Sequence, residues 1–210
     1  MPKTTPPQAQ TPEDLGDIEF NSPGVFSVHN PTAPTYSAPV TDGDEAVATI
    51  GQAKRVLLTS MDAVRTHSIH LISQAKRELC IYSLEFEPWL YDNDETYQYC
   101  KDFLLAHERN RLRVLLRDTS RIVQEGHRLL PLAERLHSRC QIRLVNSEHP
   151  FADNYWLDVD QQALLLRQAE TPKQASVYYY EPALTQKKRL EFEAMWSVAR
   201  LDVNLRRMPL

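Results

Sequence analysis

Ionisable side chains cluster just beyond three short apolar runs. Glu85 and Glu87 follow residues 78–84, Arg117, Asp118 and Arg121 follow 112–116, and Glu148 and His149 follow 141–145. If these runs are strands of an open α/β sheet, their carboxyl ends border the crevice where ligands bind. His127, between two of the runs, can reach the same edge from a helix. Carboxylates at Glu85 and Asp118 beside imidazoles at His127 and His149 would form an acid–base pocket, with Arg117 and Arg121 to hold a small polar ligand. The competing reading is capping and surface ion pairing, since Asp118-Thr119-Ser120 also makes a good N-cap for the helix that follows.

A second constellation lies near the C-terminus. Tyr178, Tyr179 and Tyr180 precede Lys187, Lys188 and Arg189, with Arg206 and Arg207 beyond. Rings interleaved with cations can stack bases and meet phosphates, although a strand with alternate buried rings before a solvated helix face has the same pattern. Metal chemistry finds less support. His67 and His70 are three apart, and His149, Asp153, Asp158 and Asp160 cluster, but neither group has zinc-site spacing. Along a strand Asp158 and Asp160 share a face, where they repel unless paired or metal-bound. No metal and no cofactor is expected. Gly126 alone follows Gly51, which removes glycine-rich phosphate loops from consideration. Cys80, Cys100 and Cys140 are odd in number and form no C-x-x-C pair, as reduced buried thiols would be.

The elements that must position these groups follow from periodicity. Met61, Val64, Ser68, Leu71 and Ala75 recur at helical spacing, and the apolar run 78–84 has strand length. The alternation continues with a helix over 96–110, a strand over 112–116, a helix over 122–138 and a strand over 141–145. Helices between apolar strands imply right-handed crossovers and a mainly parallel sheet. Later strands over 155–159, 163–167 and 177–180 lack intervening helices and read as antiparallel additions. A helix over 184–200 closes the chain, with Leu190, Ala194 and Val198 on one face and Phe192 and Trp196 on a flanking one.

Eight prolines precede Val40, among few large apolar residues, so residues 1–43 read as a disordered, proline-rich arm ahead of one domain over 44–210. The formal charge is −4 overall and −6 over residues 1–50, which leaves the rest weakly basic at +2. That balance is far from the strongly basic footprint of a dedicated nucleic-acid binder. Without an apolar leader or a membrane span, the expected compartment is the cytosol.

The chain resembles a phospholipase-D-like half-domain from about Met61 to Arg207. The resemblance rests on the order of Ala75-Lys76-Arg77-Glu78-Leu79 entering Cys80-Ile81-Tyr82-Ser83, then Arg113-Val114-Leu115-Leu116-Arg117-Asp118, then Gln141-Ile142-Arg143-Leu144-Val145-Asn146. Leu157-Asp158-Val159-Asp160 and Phe192-Glu193-Ala194-Met195-Trp196 complete it. More narrowly, Leu90-Tyr91-Asp92, Gly126-His127-Arg128-Leu129-Leu130 and Ala133-Glu134-Arg135-Leu136 are similar to an uncharacterised bacterial domain sometimes found beside a GNAT-type acetyltransferase.

Active relatives carry His-x-Lys-x4-Asp, one copy from each of two half-domains; the histidine attacks phosphorus and the lysine binds phosphate oxygens. Anchored on Asp160, the motif reads Asp153 for histidine and Tyr155 for lysine. Anchored on Asp158 it reads Phe151 and Asp153, and anchored on His149 it reads Phe151 and Trp156. The resemblance therefore implies an α/β fold with a degenerate site, a pseudoenzyme acting on a protein partner or small ligand. The alternatives are an enzyme with a rebuilt acid–base site and nucleic-acid binding through Lys187, Lys188 and Arg189. By the same resemblance, an acetyltransferase partner and a homodimer are expected.

Overall fold

A computed structural model describes residues 40–42, 47–146, 148, 154–169, 171, 173–202 and 205. Most of the expected arm lies outside these residues, as do His149 and Asp153. The described elements are β1 (Val40–Asp42), β2 (Arg55–Leu58), α1 (Met61–Ser73), β3 (Glu78–Ser83), α2 (Pro88–Tyr91), α3 (Asp94–Ala106), β4 (Arg111–Leu116), α4 (Ser120–Glu125), α5 (Leu130–Arg135), β5 (Cys140–Leu144), β6 (Asn154–Val159), β7 (Ala163–Gln168), β8 (Ala175–Tyr178) and α6 (Pro182–Val198).

The strands form one mixed sheet in the order β1-β2-β8-β7-β6-β3-β4-β5. Pairing is parallel across β3-β4-β5, as the helical crossovers require, and in β1-β2. It is antiparallel through β3-β6, β6-β7, β7-β8 and β8-β2. The carboxyl ends of β3 and β4 therefore share an edge with the start of β6 and the end of β7.

Two cores cover the two faces. Leu79, Ile81, Val114, Leu116, Leu157 and Leu165 pack with Val64, Leu71, Phe103 and Leu104 from α1 and α3. Cys80, Tyr82, Leu115, Trp156 and Leu164 pack with Phe192, Met195 and Trp196 from α6. Local sequence sets the helix starts, because the side chains of Ser60 and Asn93 accept from the backbone N–H of Ala63 and Thr96.

Two expectations need correction. The helix expected over 122–138 is broken into α4 and α5: Gly126 adopts a φ of 80°, and Pro131 lies in the first turn of α5. A left-handed glycine ends a helix, and proline suits a first turn because it lacks an N–H. In α6 the buried positions are Thr185, Lys188, Phe192, Met195 and Trp196, whereas Leu190 is 66% and Val198 42% exposed. The aromatic stripe wins because its rings bury more area than the aliphatic one. No described helix is long and apolar enough to cross a membrane.

Candidate functional site

Tyr155, the residue in the motif's lysine position, is the second residue of β6 and pairs across the ladder with Arg167 of β7. Arg117, just past β4, donates from Nη1 to the Tyr155 hydroxyl at 3.2 Å. Arg167 is 2% exposed and donates from Nη2 to Glu87 Oε1 at 2.8 Å, while the Ser83 hydroxyl donates to Glu87 Oε2. The Arg167 guanidinium also lies 5.6 Å from the Trp89 ring centre and 5.8 Å from that of Tyr155. Burial opposes its charge, but the Glu87 carboxylate together with the Tyr91 and Tyr155 phenols outweighs it and holds the Arg167 pKa above its ordinary value.

Glu87 reaches this place through a strained turn. Phe86 adopts a φ of 59°, costly for a residue with a Cβ, and its N–H donates to Ser83 Oγ at 3.2 Å. The fully buried Phe86 ring packs on Tyr91 and stacks on His127, so burial holds the turn. Pro88 then opens α2 and leaves Glu87 facing Arg167.

Asp160, the motif anchor, lies at the opposite end of β6 with a φ of 55°. Its carboxylate accepts from the backbone N–H groups of Lys76, Arg77 and Glu78 at 2.7–2.8 Å. The side chain thus ties the α1–β3 connection to the β6–β7 turn. Asp158 turns instead to Arg189 at 3.4 Å and accepts from Gln161 N–H. Burial pushes its pKa up to about 6 against the opposing pull of Arg189.

The proposed acid–base residues find other partners. Glu85 pairs with Arg121 at 2.8 Å, and Arg121 also meets Glu125 at 3.0 Å. Asp118 accepts from Ser120, and this hydrogen bonding holds its carboxyl below the ordinary range. His127 stacks on Phe86 with ring centres 4.1 Å apart, its Nδ1 accepts from Leu129 N–H, and its buried Nε2 has no partner among the described residues. His149 lies outside the described residues.

Burial lowers the His127 pKa to about 4. An unfolded chain's histidine takes a proton near pH 6.5, so between about pH 6.5 and 4 the unfolded state binds more protons and acid favours unfolding. His127 should thereby withdraw roughly 2–3 kcal/mol across that window, while Asp158, whose raised carboxyl takes up its proton first in the folded state, returns a comparable amount. The readout is therefore a difference between denaturant titrations: His127→Gln should gain stability relative to the wild type as pH falls from about 6.5 to 4, and parallel profiles would place the titration elsewhere.

Two of the three α6 cations turn inward, and Arg206 and Arg207 lie outside the described residues. Lys188 is buried, pairs with Glu191 at 2.7 Å and lies over Trp156; Arg189 sits among Glu78, Asp158 and Glu193. Lys187 stays exposed. Tyr179 is buried with its hydroxyl 2.7 Å from His67 Nδ1, and Tyr178 packs on Arg55. Among the described residues no three His, Cys, Asp or Glu side chains are grouped to hold a metal ion. Burial raises the pKa of all three cysteine thiols, that of Cys140 to about 12.

Sequence reading did not single out Arg167, Ser83 or Trp89. Arg167 carried a usable signal, a charge within the strand 163–167 whose neighbours are apolar. Such a residue must find an acid when the strand is central.

Residues 60–208 match the family described as a domain of unknown function, DUF7931. No curated protein matches the chain. Among solved structures, NucT from Helicobacter pylori aligns at 10% identity and a TM-score of 0.51, over 70% of this chain and 98% of that one. TrmBL2, an archaeal chromatin protein whose structure is described as showing a novel mode of DNA binding, aligns at 11% identity and 0.50, over 70% of this chain. That match covers 53% of TrmBL2, so the chain spans about half its length. Nuc from Salmonella typhimurium, a phospholipase D family member, aligns at 12% identity and 0.46, over 65% of this chain and 88% of that one. At these identities the likeness is one of fold, the phospholipase-D-like fold expected from the sequence. With 149 consecutive residues matched, the chain belongs to the DUF7931 family of domains of unknown function.

Proposed function

We propose that the chain is a non-catalytic phospholipase-D-like module that binds a ligand or partner instead of cleaving phosphodiesters. The closed network at the motif edge carries this reading. A phenol in the lysine position removes the ammonium that would clamp phosphate, and Arg167, the cation directly across the ladder, is neutralised by Glu87. Asp153, in the histidine position by the same register, would add a negative charge where an anionic substrate must approach. Asp160 is occupied by backbone N–H groups, a structural duty that needs no reacting partner.

Purified protein should therefore release no product from bis(4-nitrophenyl) phosphate or single-stranded DNA above a buffer control, and Tyr155→Phe should behave identically. Turnover that disappears in Tyr155→Phe would defeat the reading and favour a rebuilt active site. The resemblance further supplies an acetyltransferase and a second copy of the chain as proposed protein partners. Light scattering on the eluting protein tests the second copy, and co-purification with an acetyltransferase tests the first.

A further inference from the structure

A second feature lies at the other end of the strands, away from Tyr155. A hollow of about 370 Å³ opens at the amino ends of β3 and β4 and the turn before β5, lined by Glu78, Arg111, Arg113, Ser138, Arg139 and Gln141. Its volume falls in the range of small-ligand cavities. Three of its six lining residues are arginines, and their charges are met very differently.

Arg113 is engaged by Glu193 and by Glu78 at 2.9 Å, and Glu78 is shared with Arg189. The hollow's own carboxylate is therefore already committed. Arg111 instead donates Nη1 to the carbonyl oxygens of Glu108 and Asn110, and Arg139 donates Nη1 to that of Leu104. Among the described residues neither guanidinium has a carboxylate partner. Each is anchored through one nitrogen, with Nη2 and Nε left to donate. Anchoring lowers the ordering cost of binding, and a guanidinium fork matches the oxygens of a phosphoryl group. Gln141 Oε1 already accepts from Arg143, so its amide N–H groups remain as donors, beside the exposed Ser138 hydroxyl.

We propose that this hollow binds a small ligand through a phosphoryl group, held by Arg111 and Arg139 with Ser138 and Gln141 as further donors. The site would be where the binding module described above takes its ligand; it rests on that reading for its role, whereas its existence depends only on the arginines.

The experiment is calorimetric titration of the full chain with pyrophosphate at low salt. The wild type should saturate. Arg111→Gln and Arg139→Gln should each weaken binding by about tenfold or more, the loss expected for one charge-assisted hydrogen bond, while the exposed Arg135→Gln should change it less than twofold. Thermal melts identify any variant that fails to fold; for such a position the lysine substitution, which keeps the charge but not the fork, should fold and still bind more weakly than the wild type. Absence of wild-type binding, or equal weakening by Arg135→Gln, would overturn the site and leave the non-catalytic reading standing. Release of inorganic phosphate during the titration would overturn the non-catalytic reading and leave the site. Saturable binding of a single-stranded DNA oligomer through Arg111 and Arg139 without pyrophosphate binding would replace the small ligand by nucleic acid and overturn the proposal.

Discussion

Arg167→Met should lower the stability of the chain by about 3–5 kcal/mol, read from the midpoint and slope of a urea transition. The substitution conserves much of the volume but leaves Glu87, itself 8% exposed, buried without its guanidinium. Among the described residues only the Ser83 hydroxyl would still bond it. A single hydroxyl does not repay the desolvation of a carboxylate, so the loss should approach that of an unpaired buried charge. The companion variant separates the worth of the pair from the cost of breaking it. With Glu87→Leu added, both charges leave together, and the double variant should recover most of the deficit or exceed the wild type. The coupling between the two sites should therefore be large and opposite in sign to the single losses. A loss below about 1 kcal/mol in Arg167→Met would mean that water reaches the pair, as it reaches ordinary surface ion pairs. In that event the motif edge would be open to substrate, with Arg167 able to meet a phosphate.

The parts of this fold that sequence could disclose are those with local causes. Strands β3, β4 and β5 fall within two residues of the apolar runs that predict them: β3 is buried at five of its six residues, and in β4 and β5 Leu112, Val114, Cys140 and Ile142 alternate with half-buried polar residues. The start of α3 follows from Asn93 in the same way. What escaped depends on distant partners. Placement of β6 between β3 and β7 is a choice among competing edges, and nothing in Asn154–Val159 names its neighbours. Strand β2, between β1 and β8, has four residues, too few for a period to show. On α6 two apolar stripes competed, and only the shape of the sheet decided that Phe192 and Trp196 face inward.

The site divides along the same line. The register on Asp160 could be set by counting, and it places Tyr155 at the edge where Arg117 and Arg167 meet. The pairing of Arg167 with Glu87 spans 80 residues and left no local trace beyond the misplaced charge. Glu85 and Asp118 follow strands and His127 lies between two of them, yet each has a closer partner: an arginine five residues past β4, its own turn, and the ring of Phe86. A sheet edge collects polar residues whether or not chemistry is done there, since loops and caps need them too.

Asp160 offers the second large effect. Three backbone N–H groups at the entrance to β3 converge on one carboxylate, and the Asp160 N–H donates back to the Glu78 carbonyl at 2.9 Å. Alanine would forfeit all three acceptor contacts and would also hold a φ of 55°, where a Cβ is strained and aspartate and asparagine are better tolerated. At about 1 kcal/mol for each contact, with water replacing part of the loss at the exposed groups, and a further kcal/mol or so of backbone strain, Asp160→Ala should cost about 3–4 kcal/mol. Asp160→Asn keeps the conformation and the oxygen that serves Arg77 and Glu78, so its loss should be nearer 1 kcal/mol. Asp160→Gly removes the strain but none of the bonding deficit and should fall between them. Hydrogen exchange adds a readout with position: in Asp160→Ala the amides of Lys76, Arg77 and Glu78 should lose protection before those of β4 do. The order alanine, glycine, asparagine would show that Asp160 serves as a strand clasp. Equal stability in all three, with some ligand or substrate affinity lost instead, would place Asp160 in a binding or catalytic site.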